Sequence, residues 1–425
     1  MPPARTARRH AAPDATFRRT ELDNGVRVVT EHIPSVRSIS IGVWVFVGSR
    51  DERKKEAGIS HFIEHMVFKG TRRRKTHHLA ARMESVGGFL NAFTTKEYTC
   101  FYARGLDEHV ARAVDVLADM VLSPAFPQKE LIKEKDVVLE EMKMYRDNPE
   151  DHIFDVFEDA VYRGHALSRP ILGTRTAVAA FDRRQLHDFV KKQYAPERIV
   201  VAVTGHVDHD EVVTEVARHV GDLGSTGVRR RRRKPTAYKP SRSVVTVPTE
   251  QAHIVLGSRG PNLYEDDRMP LVVLNTLLGG GMSSRLNLHI RERYGFCYQI
   301  YSFMNMYLDT GDWGVYVGTD GRRVDRMRDL IHRELDSLAR KEVGPRELRQ
   351  AKSQVKGSIM LGLESMSTRM MRLGRQEMFY RKFMSLDRAL EQIDAVSAED
   401  IRRVSERLFN PDEYSEVVLL PNANG

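Results

Sequence analysis

The stretch Gly58-Ile59-Ser60-His61-Phe62-Ile63-Glu64-His65-Met66-Val67-Phe68 carries two histidines and one acid within a few residues. In a helix, positions i, i+3 and i+4 share one face, so His61, Glu64 and His65 come together. Two imidazoles one turn apart can bind one metal ion, and a carboxylate beside them can handle a proton. A catalytic zinc ion commonly takes three protein ligands and keeps one position for water. The rest of the chain must therefore supply a third ligand.

At 425 residues the chain is long enough for two or more domains. Hydrophobic content of 41% and charged content of 29% place it among soluble globular proteins. No apolar run approaches the roughly 18 residues that cross a membrane, and the N-terminus lacks the apolar segment of a signal peptide. Cys100 and Cys297 are too few for a disulfide framework or a cysteine metal cluster. The net charge of +9 is concentrated: residues 1–20 carry +4 and Arg229 to Lys234 carry +6, which leaves the remaining chain near −1. A near-neutral body argues against nucleic acid as a partner, and the basic run reads as a solvated linker.

Residues 1–20 are rich in Pro, Ala and Arg with little to bury, and are expected to be a disordered basic tail. An Arg-rich, acid-poor start also resembles a mitochondrial transit peptide. Strands are predicted at Val26–Val29 and Ile39–Val47, ahead of the motif helix. A second helix is predicted around Leu79–Val86, then a strand or hairpin edge over residues 89–103, a helix over 107–122 and a long helix over about 129–145, closed by Asp147-Asn148-Pro149. A helix over 183–194 precedes a strand at Ile199–Thr204. Residues 223–242 hold the basic run, Pro235 and Pro240, and read as a linker.

The second half repeats the order of the first. A displacement of 215 residues places Leu186 on Ile401, Phe189 on Val404, Tyr194 on Phe409 and Pro196 on Pro411. This is an internal duplication at a domain-sized period, with a first domain over 21–222 and a second over 243–425. The counterpart of the histidine helix is Val272-Val273-Leu274-Asn275-Thr276-Leu277-Leu278, where the polar trio is absent. Only the first copy is equipped for chemistry.

On the long helix the acids are Glu130, Glu134, Glu140 and Glu141. Glu134 and Glu141 are seven apart and share one stripe, two turns from each other. The second-half counterpart carries Ser358 near the Glu141 position, so this acid too is missing where the histidines are missing. Glu141 is expected to be the third ligand and Glu134 a second carboxylate beside it, with Glu130 and Glu140 left as solvated helix acids.

His61-x-x-Glu64-His65, followed after 75 residues by Glu141 in Glu-Lys-Asp-Val-Val-Leu-Glu-Glu, resembles the pitrilysin/insulinase family of zinc peptidases. This is the inverzincin group, with its motif reversed from the commoner zinc-protease helix. The match is to the short two-domain type, similar to the catalytic subunit of the mitochondrial processing peptidase and its bacterial relatives. Leu90-Asn91-Ala92-Phe93-Thr94 matches the strand with which that family holds substrate, and Gly279 to Leu286 matches a second-half signature. Arg291 and Tyr298 match the family's pair that reaches across to the active site. Cys297, before Tyr298, stands where the family usually has a small residue. A long glycine-rich loop like that of the non-catalytic processing-peptidase subunit is absent.

The resemblance implies an α+β fold of two similar domains, each a mostly antiparallel sheet flanked by helices. It implies one Zn2+ per chain held by His61, His65 and Glu141, with Glu64 as general base and Glu134 beside the site. Tyr298 is implied as a donor to the oxyanion, and Asn91, Ala92 and Arg291 as substrate contacts. The expected activity is endopeptidase cleavage of peptides or flexible unfolded segments in a closed chamber. Family members close that chamber with two such halves, which implies a homodimer, or a heterodimer with a related chain. The alternative is a non-catalytic structural subunit of a processing-peptidase-like complex. A bacterial cytoplasmic location is expected, with the mitochondrial matrix as the alternative.

Overall fold

Ile39, Ile41, Val43 and Val45 point to one face of their strand and Trp44 to the other, and all five are buried. A strand that is apolar on both faces belongs inside a three-layer stack. The computed structural model describes residues 16–225, 227, 232–236 and 238–422. Its first half comprises β1 (Thr16–Glu21), β2 (Arg27–His32), β3 (Ser38–Val45), α1 (Ile59–Val67), α2 (Thr76–Glu84), β4 (Phe89–Thr94), β5 (Thr99–Leu106), α3 (Val110–Leu122), α4 (Gln128–Asp147), α5 (Pro149–Tyr162), α6 (Arg175–Ala180), α7 (Arg183–Gln193), β6 (Ile199–Gly205) and α8 (His209–Val220). The second half comprises β7 (Arg242–Val247), β8 (Ala252–Gly260), α9 (Arg268–Gly279), β9 (Cys297–Met306), β10 (Gly311–Thr319), α10 (Val324–Arg340), α11 (Pro345–Gly362), α12 (Met366–Tyr380), α13 (Leu386–Ala395), α14 (Ala398–Leu408) and β11 (Ser415–Pro421).

The sheets run β1-β2-β6-β3-β5-β4 and β7-β11-β8-β10-β9. Without β1 the two orders are the same, each with one parallel pair, β2 with β6 and β7 with β11, and antiparallel pairs elsewhere. The α+β fold with a duplicated, mostly antiparallel sheet is therefore as expected. Helix α9 lies against β9 as α1 lies against β4, so the apolar stretch 272–278 is the histidine helix's counterpart in space as well.

One face of each sheet packs on helices of its own half, and the other face packs on a helix from the other half. Trp44, Val200 and Ala202 on the outer face of the first sheet meet Met370, Leu373 and Met378 of α12. Val255, Tyr316, Val417 and Leu419 of the second sheet meet Ile153, Phe157 and Val161 of α5. A cut at the linker separates the repeats of sequence but not the cores. A Cβ on Gly374 of α12 would lie 2.4 Å from the Trp44 indole. Gly374→Val is expected to destabilise the protein by about 1–3 kcal/mol through overpacking, read as a lowered thermal midpoint.

Two expectations are corrected, those for residues 16–20 and for the basic run, and two are made more detailed. Residues 16–20 are not tail but strand: β1 pairs with β2, Phe17 stacks on Phe383 at 4.3 Å, and Arg18 makes paired 2.8 Å bonds to Asp210. Residues 1–15 lie outside the described residues. Asn148-Pro149 ends α4 but also starts α5, because Asn148 caps the Glu150 amide and proline suits a first helical position. The residues between 89 and 103 form two strands, β4 and β5, joined by a tight turn. The basic run is not wholly solvated. Arg232 grips Asp51 at 2.9 and 3.0 Å and Glu97 at 2.8 Å, and its side chain is 8% exposed. Arg229 to Arg231 lie outside the described residues. No helix among the described residues is long and apolar enough to cross a membrane.

Candidate metal centre

Helix α1 is fixed at its start by backbone and side chain together. Gly58 has φ of +95°, a left-handed conformation that glycine adopts without strain. Glu52, nearly fully buried, accepts the amides of Gly58 at 2.8 Å and Ser60 at 2.9 Å, satisfying helix-start donors that lack intrahelical partners. Burial pushes the Glu52 carboxyl up to about 8. Ile59, Phe62, Ile63 and Met66 anchor the helix in the first core. His61, Glu64 and His65 are left on the remaining side, with α4 packed against the helix.

The two imidazoles lie 4.6 Å apart between ring centres. Glu141 Oε2 is 3.8 Å from His61 Nε2 and 3.4 Å from His65 Nε2, and one ligand atom from each residue falls within 4.8 Å of the others. Glu141 Oε2 and His61 Nδ1 are buried without a hydrogen-bond partner. An unsatisfied buried polar atom costs about 1–3 kcal/mol, and a cation among these donors would remove that cost at Glu141. Two imidazoles and a carboxylate are a donor set that suits zinc, so these residues fit the ion.

Glu134 Oε1 lies 2.8 Å from His65 Nδ1, and Lys69 Nζ lies 2.7 Å from Glu134 Oε2. This chain holds the Nδ1 proton of His65 and leaves Nε2 turned toward Glu141, the usual support for a ligating histidine. Glu134→Gln is expected to weaken zinc binding roughly 10–100-fold, measured by competition with a chromophoric chelator. Burial lowers His61 to about 4, and the neighbouring His65 adds to the effect. Burial acts on His65 in the same direction, but contacts with Glu134 and Glu141 outweigh it and raise it to about 9. The His65 contact holds Glu141 below the ordinary carboxylate range. Burial raises Glu64, against the pull of a 2.6 Å hydrogen bond from Thr94 Oγ1.

The structure thus brings together His61, Glu64, His65, Glu134 and Glu141. It places Asn91 and Ala92 on β4, the free edge of the first sheet. Arg291 lies over the Tyr298 ring at 5.8 Å, so those two residues meet each other. Tyr298 is 81% exposed rather than a core aromatic, and neither it nor Arg291 bonds to the histidine site in this conformation. Lys69, Glu52 and Thr94 were not singled out from sequence. Lys69 sits four residues after His65 and was legible by helical spacing; Glu52 and Thr94 carry no local signal.

The description "Insulinase (Peptidase family M16)" matches residues 27–175, and "Peptidase M16 inactive domain" matches residues 180–355. A relative from Mycobacterium leprae (strain TN), described as a zinc protease, is 43% identical over 426 residues, covering 98% of this chain and 95% of its own. Another from Bacillus subtilis (strain 168), also described as a zinc protease, is 40% identical over 408 residues, covering 96% and 99%. Among solved structures, a protease from Helicobacter pylori superposes with a TM-score of 0.88 at 22% identity, covering 96% of this chain and all of its own. A peptidase M16 inactive domain from Pseudomonas fluorescens superposes with a TM-score of 0.90 at 19% identity, covering 96% and 98%. The two family matches span most of the chain, and the relatives align along nearly all of it: the chain belongs to the insulinase family, peptidase family M16.

Proposed function

We propose that the chain is a zinc metalloendopeptidase that hydrolyses peptides or flexible, unfolded protein segments. The observation that carries this reading is the convergence of His61, His65 and Glu141, with Glu64 on the same face. Those three residues hold one zinc ion per chain. When bound, zinc supplies Lewis acidity, lowering the pKa of a coordinated water and polarising the scissile carbonyl. Glu64 takes the proton from the attacking water and hands it to the leaving amine. Its burial suits that role, because it raises the carboxylate's pKa and so makes it a stronger base. Glu134, anchored by Lys69, keeps the remaining His65 proton on Nδ1.

Substrate adds to the free edge of β4 by backbone hydrogen bonds, beside Asn91 and Ala92. Strand addition requires an extended segment, which excludes folded domains as substrates. Arg291 holds a substrate carbonyl or carboxylate, and Tyr298 donates to the oxyanion once two copies close on one another. The exposure of Tyr298 supports a role that begins only with substrate or a second chain in place. Two copies pair to close the chamber. The relatives from Mycobacterium and Bacillus support a bacterial rather than a mitochondrial setting. The test is cleavage of a quenched fluorescent peptide by purified protein, abolished by chelator and restored by zinc. Absent or chelator-insensitive cleavage overturns the reading.

A further inference from the structure

Strand β4 pairs with β5 on one side only. The Thr95 amide donates to Tyr98 O at 2.8 Å, so ladder alternation turns the backbone groups of Thr94, Ala92 and Leu90 toward the open side. Those three positions differ in what they meet. The Ala92 amide donates to its neighbour's Asn91 Oδ1 at 2.8 Å, a side-chain contact that a peptide carbonyl can replace. Thr94 is committed to the protein's own acid. Its Oγ1 donates to Glu64 Oε2 at 2.6 Å.

We propose that Thr94 is a positioning residue that fixes Glu64 relative to a peptide paired with Leu90 and Ala92, an inference that rests on the peptidase reading above. A free glutamate side chain rotates about three bonds, and a short hydrogen bond from a rigid strand residue removes much of that freedom. Thr94 is itself held: it faces Thr99 across the hairpin, and the Thr99 hydroxyl donates to Val47 O at 3.0 Å. One rigid strand therefore carries the substrate's pairing edge and the clamp on the base. The length of paired peptide sets affinity, and Thr94 sets the rate of the step in which Glu64 moves the proton.

Thr94→Val keeps the shape of the side chain and deletes its hydroxyl, whereas Thr94→Ser keeps the hydroxyl. The experiment measures kcat, KM and zinc content for both variants. It also measures the affinity of an uncleaved fluorescent peptide for Glu64→Gln with and without Thr94→Val. Thr94→Val is expected to lower kcat roughly 10–100-fold, the scale of a misplaced reacting group. KM, peptide affinity and zinc content are expected to stay within about twofold of their reference values, with Thr94→Ser recovering most of kcat. Wild-type kcat in Thr94→Val, loss of zinc, or a loss confined to peptide affinity overturns the inference while leaving the peptidase reading intact. A wild-type protein without chelator-sensitive turnover overturns both.

Discussion

Glu64→Gln is expected to bind zinc at wild-type stoichiometry while kcat falls about 10²–10⁴-fold, the range that general acid–base catalysis supplies. Glutamine fills the same volume, and its carbonyl oxygen accepts the Thr94 hydroxyl as the carboxylate does. An amide cannot take a proton from water, so the chemistry is removed and the architecture kept. Metal analysis and steady-state kinetics on one preparation decide the point. A variant with full zinc and wild-type turnover would show that another group serves as base. A variant that loses zinc would show that Glu64 ligates the metal, leaving the base unassigned.

Glu141→Gln is expected to act the other way, by emptying the site. Glu141 is the only acid within 4 Å of both ring nitrogens turned to the centre, His61 Nε2 and His65 Nε2, among the described residues. Its replacement leaves two imidazoles and a neutral amide, a set with no charge to set against the ion. Zinc affinity is expected to fall by more than about 100-fold, the upper end of what losing an outer-sphere partner costs. Activity at trace zinc should vanish and return in part at high zinc concentration. Full zinc occupancy after dialysis would falsify the assignment of the third ligand.

The local part of this site is legible in the sequence because it follows helix geometry. His61, Glu64 and His65 need only the spacing of one helix, and the apolar counterpart at 272–278 marks which copy is equipped. Glu141 needed a choice among four acids, made by comparison with Ser358 in the other copy. Thr94 was quoted within Leu90 to Thr94, but its tie to Glu64 spans 30 residues and depends on the register of a hairpin. Arg232 lies in a run of like residues, and nothing local says which of them meets Asp51, 181 positions away. Helices α5 and α12 went unread for a related reason. Each buries its apolar face on a sheet built by the other repeat, so neither is explained by its own neighbourhood.

That exchange has a consequence for the order in which the protein can be made. During synthesis β6 is complete at Gly205, but the helix that covers the outer face of its sheet ends at Tyr380, about 175 residues later. At roughly 5–20 residues per second the delay is on the order of 10–35 s. Through that interval Trp44, Val200 and Ala202 have no partner layer. The emerging first repeat is thus a sheet with one bare apolar side, a chaperone client until its twin arrives. A nascent chain stopped in the linker is expected to aggregate, whereas one released after β11 folds with both cores closed.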